Sequence, residues 1–189
     1  MQIYNSDITL RVSRITVIQD RRIMIGDQIP VGKYTATCQA ATQEGAIFLL
    51  DQCLDRAYPM NEEGANGGRY DRSSLRRVLQ NEEVLAIFEE YRDRMQPFNN
   101  SDLLRIPFAG EIFQYVNSVR VESDACKQWP LMRERRNRIA FRNEAPEWSW
   151  LQNKMLGSRD RFGAIDSKGC SSEWDASRPL GVRPVFCIK

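Results

Sequence analysis

The run Ala46-Ile47-Phe48-Leu49-Leu50, closed at once by Asp51, sets the first constraint on the fold. Five consecutive apolar residues are too short for a buried helix and match a strand covered on both faces. A strand of that kind belongs in the centre of a sheet. Tyr34 to Cys38 reads as its neighbour, and Gly26-Asp27 and Pro30-Val31-Gly32 supply turn chemistry before it. Earlier still, Ile8, Leu10 and Val12, then Ile15 and Val17, alternate with polar residues, which predicts an N-terminal β-hairpin extension over residues 1–25.

The middle of the chain changes period. Asn66-Gly67-Gly68 marks a surface loop, after which Ser73 or Ser74 caps a short helix carrying Leu75, Val78 and Leu79. Asn81 then starts a second helix, with Glu82 and Glu83 at its positive end and an apolar stripe of Val84, Leu85, Ile87, Phe88 and Tyr91, ending before Pro97. Leu103 to Ile106 reads as a buried strand closed by Pro107, and Gly110 to Val116 as a short helix. Further strands are expected at Trp148 to Leu151, Phe162 to Asp166 and Val182 to Ile188, separated by turns at Asp166-Ser167-Lys168-Gly169 and Pro179-Leu180-Gly181. With no repeat or flexible linker in 189 residues, the expectation is one α+β domain of mixed or antiparallel sheets with short helices.

Composition narrows the function. The 27 basic and 25 acidic residues nearly cancel, so no global field favours nucleic acid or an anionic membrane. No apolar run approaches the roughly 18 residues of a membrane span, and Met1 to Asp7 lacks the regions of a secretion signal, so synthesis in the cytoplasm is expected. Histidine is absent, which removes the usual general base near neutral pH and every Ser-His or Cys-His nucleophile.

Four groupings carry potential chemistry. Arg133-Glu134-Arg135-Arg136-Asn137-Arg138 and Arg142 form the densest basic stretch; Glu144 and Glu147 lie near enough in sequence to neutralise it, so a solvated face is favoured over phosphate or nucleic-acid binding. Trp148, Trp150 and Trp174 could form a stacking platform, although burial is the commoner fate of such rings. Asp160, Asp166, Glu173 and Asp175 match no calcium-loop spacing and are read as solvating turns or pairing with arginine, as Asp175 with Arg178; no metal and no cofactor are assigned. Of five widely spaced cysteines, only Cys170 and Cys187 are nominated as a redox or metal-binding pair, with inert thiols as the preferred reading.

The closing Gly181-Val182-Arg183-Pro184-Val185-Phe186 strongly resembles the Gly-Val-Arg-Pro-Ala-Phe strand that ends a bacterial and phage family designated domain of unknown function 6273. Asn66-Gly67-Gly68-Arg69-Tyr70, Ser73-Ser74-Leu75-Arg76 with Leu79, Leu104-Arg105-Ile106-Pro107 followed by Gly110-Glu111, Trp148 to Leu151, and Asp166 to Gly169 are similar to further blocks of that family. The resemblance spans residues 23–189. By analogy it implies a C-type-lectin-like arrangement, as in formylglycine-generating-enzyme-like and phage receptor-binding domains. Two departures limit what it implies. Many members carry Trp-Trp-Leu-Arg-Ser where this chain has Trp148-Ser149-Trp150-Leu151-Gln152-Asn153, and the lectin calcium pairings are missing, with Glu173-Trp174-Asp175 only a distant echo.

These observations favour a non-enzymatic binding or structural module of a bacterial or prophage-encoded system. Its expected ligand surface is Trp148, Trp150, Gln152, Asn153, Asp166, Trp174 and Asp175, suited to a glycan or a protein partner, with Gly181, Arg183 and Pro184 as structural positions. Nucleic acid and membrane are disfavoured. Two alternatives stand beside it: a copper oxidase of the formylglycine-generating type, using Cys170 and Cys187, and a self-associating subunit of a phage tail or baseplate, which would be virion-associated. An odd cysteine count in a cytoplasmic context predicts five free thiols by mass spectrometry after denaturing alkylation; a uniform pair of intramolecular disulfides would overturn that reading.

Overall fold

The computed structural model describes residues 23–42, 45–64, 69–98, 101–114 and 125–189. Most of the expected N-terminal hairpin, the Asn66-Gly67-Gly68 loop, and Tyr115 and Val116 of the expected helix lie outside these residues.

The described residues form an α+β fold of antiparallel sheets and short helices. The largest sheet has five strands, β1 (Gln28–Val31), β2 (Tyr34–Ala41), β3 (Ala46–Leu50), β4 (Met95–Gln96) and a last strand, β10 (Val185–Ile188). Their spatial order is β1-β2-β3-β10-β4, so the apolar run of β3 occupies the middle. Its side chains alternate between two cores. Phe48 and Leu50 enter the larger, with Phe186, Trp150 and Phe162, while Leu49 enters a smaller one with Val185, Leu151, Ile165 and Trp129. Both faces are covered, which is why β3 shows no polar alternation. The Phe48 and Phe186 rings stack at 5.5 Å, and Phe88 meets Phe186 edge-on at 5.1 Å.

Between β3 and β10 the chain adds helices and two small sheets. Helix α1 (Ser74–Leu79) is capped by Ser73, whose hydroxyl accepts a hydrogen bond from Arg76 N at 3.0 Å. Helix α2 (Glu82–Leu85) follows Asn81, and tightens into a 3-10 helix over Ala86–Arg94. The expected single helix is thus continued in a narrower form, and it ends before Pro97. Leu103 to Ile106 is not a regular strand. Only Arg105 pairs, in an isolated bridge with Val185, although Leu104 and Ile106 are buried. Helix α3 (Ala109–Ile112) turns the chain after Pro107.

The two small sheets are a hairpin, β5 (Ala140–Arg142) with β6 (Ala145–Glu147), and an antiparallel trio, β7 (Ser149–Lys154), β8 (Arg161–Ile165) and β9 (Ser171–Asp175). Asn143 and Glu144 form the hairpin tip with φ of 51° and 66°. Those signs suit the two-residue turn that matches strand twist, readily for Asn and less so for Glu.

The residues from Leu180 to Pro184 join the sheets. Gly181 N donates to Trp148 O at 2.8 Å and Trp150 N to Gly181 O at 3.1 Å, while Leu54 N reaches Val182 O at 2.9 Å and Leu50 N reaches Pro184 O at 3.0 Å. The fit is close: a Cβ on Gly181 would stand 2.5 Å from Cys53 Sγ and 2.7 Å from Trp148 O. Pro184 precedes β10, which lies inside the sheet between β3 and β4. The expected strand from Val182 therefore begins only at Val185, and the donor that Pro184 lacks is tolerated because the residue sits just before the ladder begins.

Three arginines, two of them buried, hold the loops. Arg105 forks onto Glu111 at 2.6 and 2.7 Å with both side chains nearly excluded from water, and Glu111 also accepts from Phe108 N at 2.8 Å. Arg76 forks onto Asp102 at 2.5 and 2.8 Å. Arg183, wholly buried, donates from Nε to Leu50 O at 2.9 Å and from Nη1 towards Asn137 O and Arg138 O at 3.4 Å. Arg183→Lys keeps the charge but cannot span both sets of carbonyls, so chemical denaturation should show a loss on the order of 2 kcal/mol. An unchanged midpoint would deny Arg183 its clamping role.

Candidate functional site

The fold disperses the residues that the sequence nominated. Trp150 is fully buried and its Nε1 donates to Tyr58 O at 2.8 Å. Asn153 is buried too, with Oδ1 accepting from Ala109 N at 2.7 Å, and Gln152 Nε2 donates to Ile106 O at 2.6 Å. Their amides therefore hold the loop around α3. Asp166 Oδ1 accepts from Lys168 N at 2.9 Å and Cys170 N at 2.8 Å, an Asx turn.

Trp174 lies within β9, not in the loop before β10. It is half-buried, packed edge-on against Trp148 at 5.4 Å, and covered by the Arg178 guanidinium at 4.1 Å. The suggested Asp175–Arg178 ion pair is absent among the described residues; Asp175 instead accepts from Arg161 Nε at 3.1 Å, because Arg161 pairs with it across the β8–β9 ladder. Trp148 and Trp174 thus form a small patch with an arginine already seated on it. Cys170 stands at the entrance to β9, whereas Cys187 lies in β10 beside Gly45, so the nominated cysteine pair sits on different sheets.

Residues missed by the sequence reading meet elsewhere. A cleft of about 610 Å³ opens between the outer face of β1–β3 and the segment from Leu131 to Glu144. Gln28, Thr37, Gln39 and Asp51 line one wall, and Met132, Ile139 and Phe141 the other, with Arg183 also contributing. The register pairs Gln28 with Thr37, placing both beside the end of β3 where Asp51 emerges. Gln39 lines the same region, at the register shift between Cys38 and Ala40.

The polar groups form a connected set. Thr37 Oγ1 donates to Asp51 Oδ1 at 2.7 Å, and Gln28 Nε2 reaches Asp51 Oδ2 at 3.2 Å. Gln39, only 2% exposed, donates from Nε2 to Thr37 O at 3.1 Å, while its Oε1 meets no donor among the described residues. Phe141, 40% exposed, adds an apolar ring to the lining of the same cleft. The polar signal was present in the sequence as Thr35, Thr37 and Gln39, spaced by two along β2.

Reactive groups are held back. Burial pushes the Cys53 thiol up to about 12 and the Cys38 thiol up to about 11, so neither supplies a thiolate near neutral pH. Burial also raises the Asp51 carboxyl above its ordinary value, opposed by Thr37, Arg183 and Gln28. The arrangement offers hydrogen bonds of fixed direction and an apolar plane, which is the equipment of recognition.

No family model, curated protein or solved structure matches this chain. The cleft's own chemistry is therefore the ground for any functional reading.

Because folding raises the Asp51 value, the folded state keeps that proton to higher pH than the unfolded chain. Its contribution to stability is full below the unfolded value of 3.8 and is lost as pH rises through the folded value. Urea unfolding of Asp51→Asn across that interval should show a flatter decline with pH than the unaltered protein. Identical slopes would mean that Asp51 titrates alike in both states.

Proposed function

We propose that the chain is a non-enzymatic binding module of a bacterial or prophage-encoded system, which takes an uncharged polar ligand, a glycan in the first instance, in the cleft beside β2. The single observation that carries this reading is the pairing of the amide and hydroxyl wall of Gln28, Thr37 and Gln39 with the exposed Phe141 ring across one cleft. A sugar presents hydroxyls around its edge and C–H groups on its face, and so matches both walls.

The resemblance to the bacterial and phage family, and through it to C-type-lectin-like domains, supports the same class. Its motif positions have physical roles here that a binding scaffold requires. Ser73 caps a helix, Arg76 and Arg105 clamp loops, and Gly181 permits the close approach of the Trp148 backbone and the Cys53 side chain. The shift from a tryptophan platform to the β2 cleft follows from the internal hydrogen bonds of Trp150, Gln152 and Asn153.

Screening the protein against an array of neutral and acidic oligosaccharides tests the proposal. A neutral glycan should bind, and Gln28→Ala and Phe141→Ala, both at exposed positions, should each weaken binding by about tenfold, or roughly 1.4 kcal/mol. Absence of glycan binding, or binding indifferent to both substitutions, would overturn it.

A further inference from the structure

A second concavity, of about 720 Å³, lies between the 3-10 helix Arg135–Arg138 and the turn that leads into β9. Arg135, Arg136, Lys168 and Ser167 line it, together with Glu134 and Ile139. Its two sides are fixed against each other. Gly169, with φ of 77°, lets the turn pass so close to the helix that a Cβ there would lie 2.6 Å from Arg135 O. The turn itself is braced by the Asp166 carboxylate on Lys168 N and Cys170 N.

Three cations gather in this one lining. Arg76, Arg92, Arg105, Arg142 and Arg161 each pair with a carboxylate, Arg178 covers Trp174, and Arg183 is taken up by carbonyls. Arg135, Arg136 and Lys168 are exposed and make no ion pair among the described residues. The acids that the sequence offered as their neutralisers are committed elsewhere: Glu147 pairs with Arg142, and Glu144 lines the other cleft. Glu134 alone brings negative charge to the concavity, against three cations. Burial lowers the proton affinity of the neighbouring Arg138, with Cys170 opposing and Arg135 adding a smaller push in the same direction.

Cations that outnumber the carboxylates beside them repel one another, and a multivalent anion removes that repulsion. From this juxtaposition we infer that the concavity is a binding site for the phosphoryl group of a soluble phosphate ester. Arg135 and Arg136 supply planar forks for its oxygens, Lys168 a third positive charge, and Ser167 a hydroxyl at the same rim. A monoanionic carboxylate would leave most of the positive charge unmatched. The volume exceeds what one phosphate fills, leaving room for the remainder of the ester beside Ile139.

Isothermal titration calorimetry with inorganic pyrophosphate tests this site. One saturable event is expected, weakened at least about tenfold in R135Q/R136Q and measurably in K168Q, with thermal midpoints unchanged. Asp51→Asn, in the other cleft, should bind pyrophosphate like the unaltered protein. Failure to saturate at millimolar pyrophosphate, equal affinity in the arginine double variant, or loss of binding in Asp51→Asn would overturn the assignment.

Discussion

A guanidinium held wholly out of water is strongly destabilising unless oxygens surround it, and Arg183 meets that condition with backbone carbonyls. The carbonyls come from two distant places. Leu50 O ends the central strand, and Asn137 O and Arg138 O belong to the segment that forms the far wall of the β2 cleft. One side chain therefore fixes the distance between the sheet and that wall. Burial lowers the Arg183 proton affinity, with Cys53 and then Asp51, which lines the same cleft, acting in the other direction. The shape of the site and the closure of the fold depend on the same group.

The neighbouring Gly181 contributes a steric condition of the same kind. Cys53 Sγ, Trp148 O and the Glu147 side chain converge there, and the absent side chain is what lets β7 hydrogen-bond to the segment leading into β10. Arg183 supplies attraction and Gly181 supplies room. Together they join the backbone of the three-stranded sheet to that of the five-stranded one, whose cores the two sheets share.

Much of this was legible in the sequence, for particular reasons. The run Ala46 to Leu50 announced a strand covered on both faces, and the Ser73 cap and the acidic start at Glu82 announced helices, because those signals are local. What stayed hidden depends on partners far away. Leu103 to Ile106 has strand composition, yet it finds only one bridge because β10 offers its edge mainly to β3 and β4. Trp174 fell within no expected strand, since no alternation marks Ser171 to Asp175, where every residue is half-buried. Gln152 and Asn153 carried the right chemistry for a ligand, and only the position of Ala109 and Ile106 shows that their bonds are already made. The unpaired state of Arg135 and Arg136 likewise depended on which arginine Glu147 would choose.

The pairing of β3 with β10 has a kinetic consequence. Arg183 and the Leu50 carbonyl it holds are 133 residues apart in the chain. Loop-closure entropy must be overcome before that contact forms, so the five-stranded sheet completes its centre late in folding. Until then one edge of Ala46 to Leu50 stands open, an uncharged apolar template suited to pairing with another copy. The species at greatest risk of aggregation is thus the partly folded chain that has paired β2 with β3 and still awaits β10.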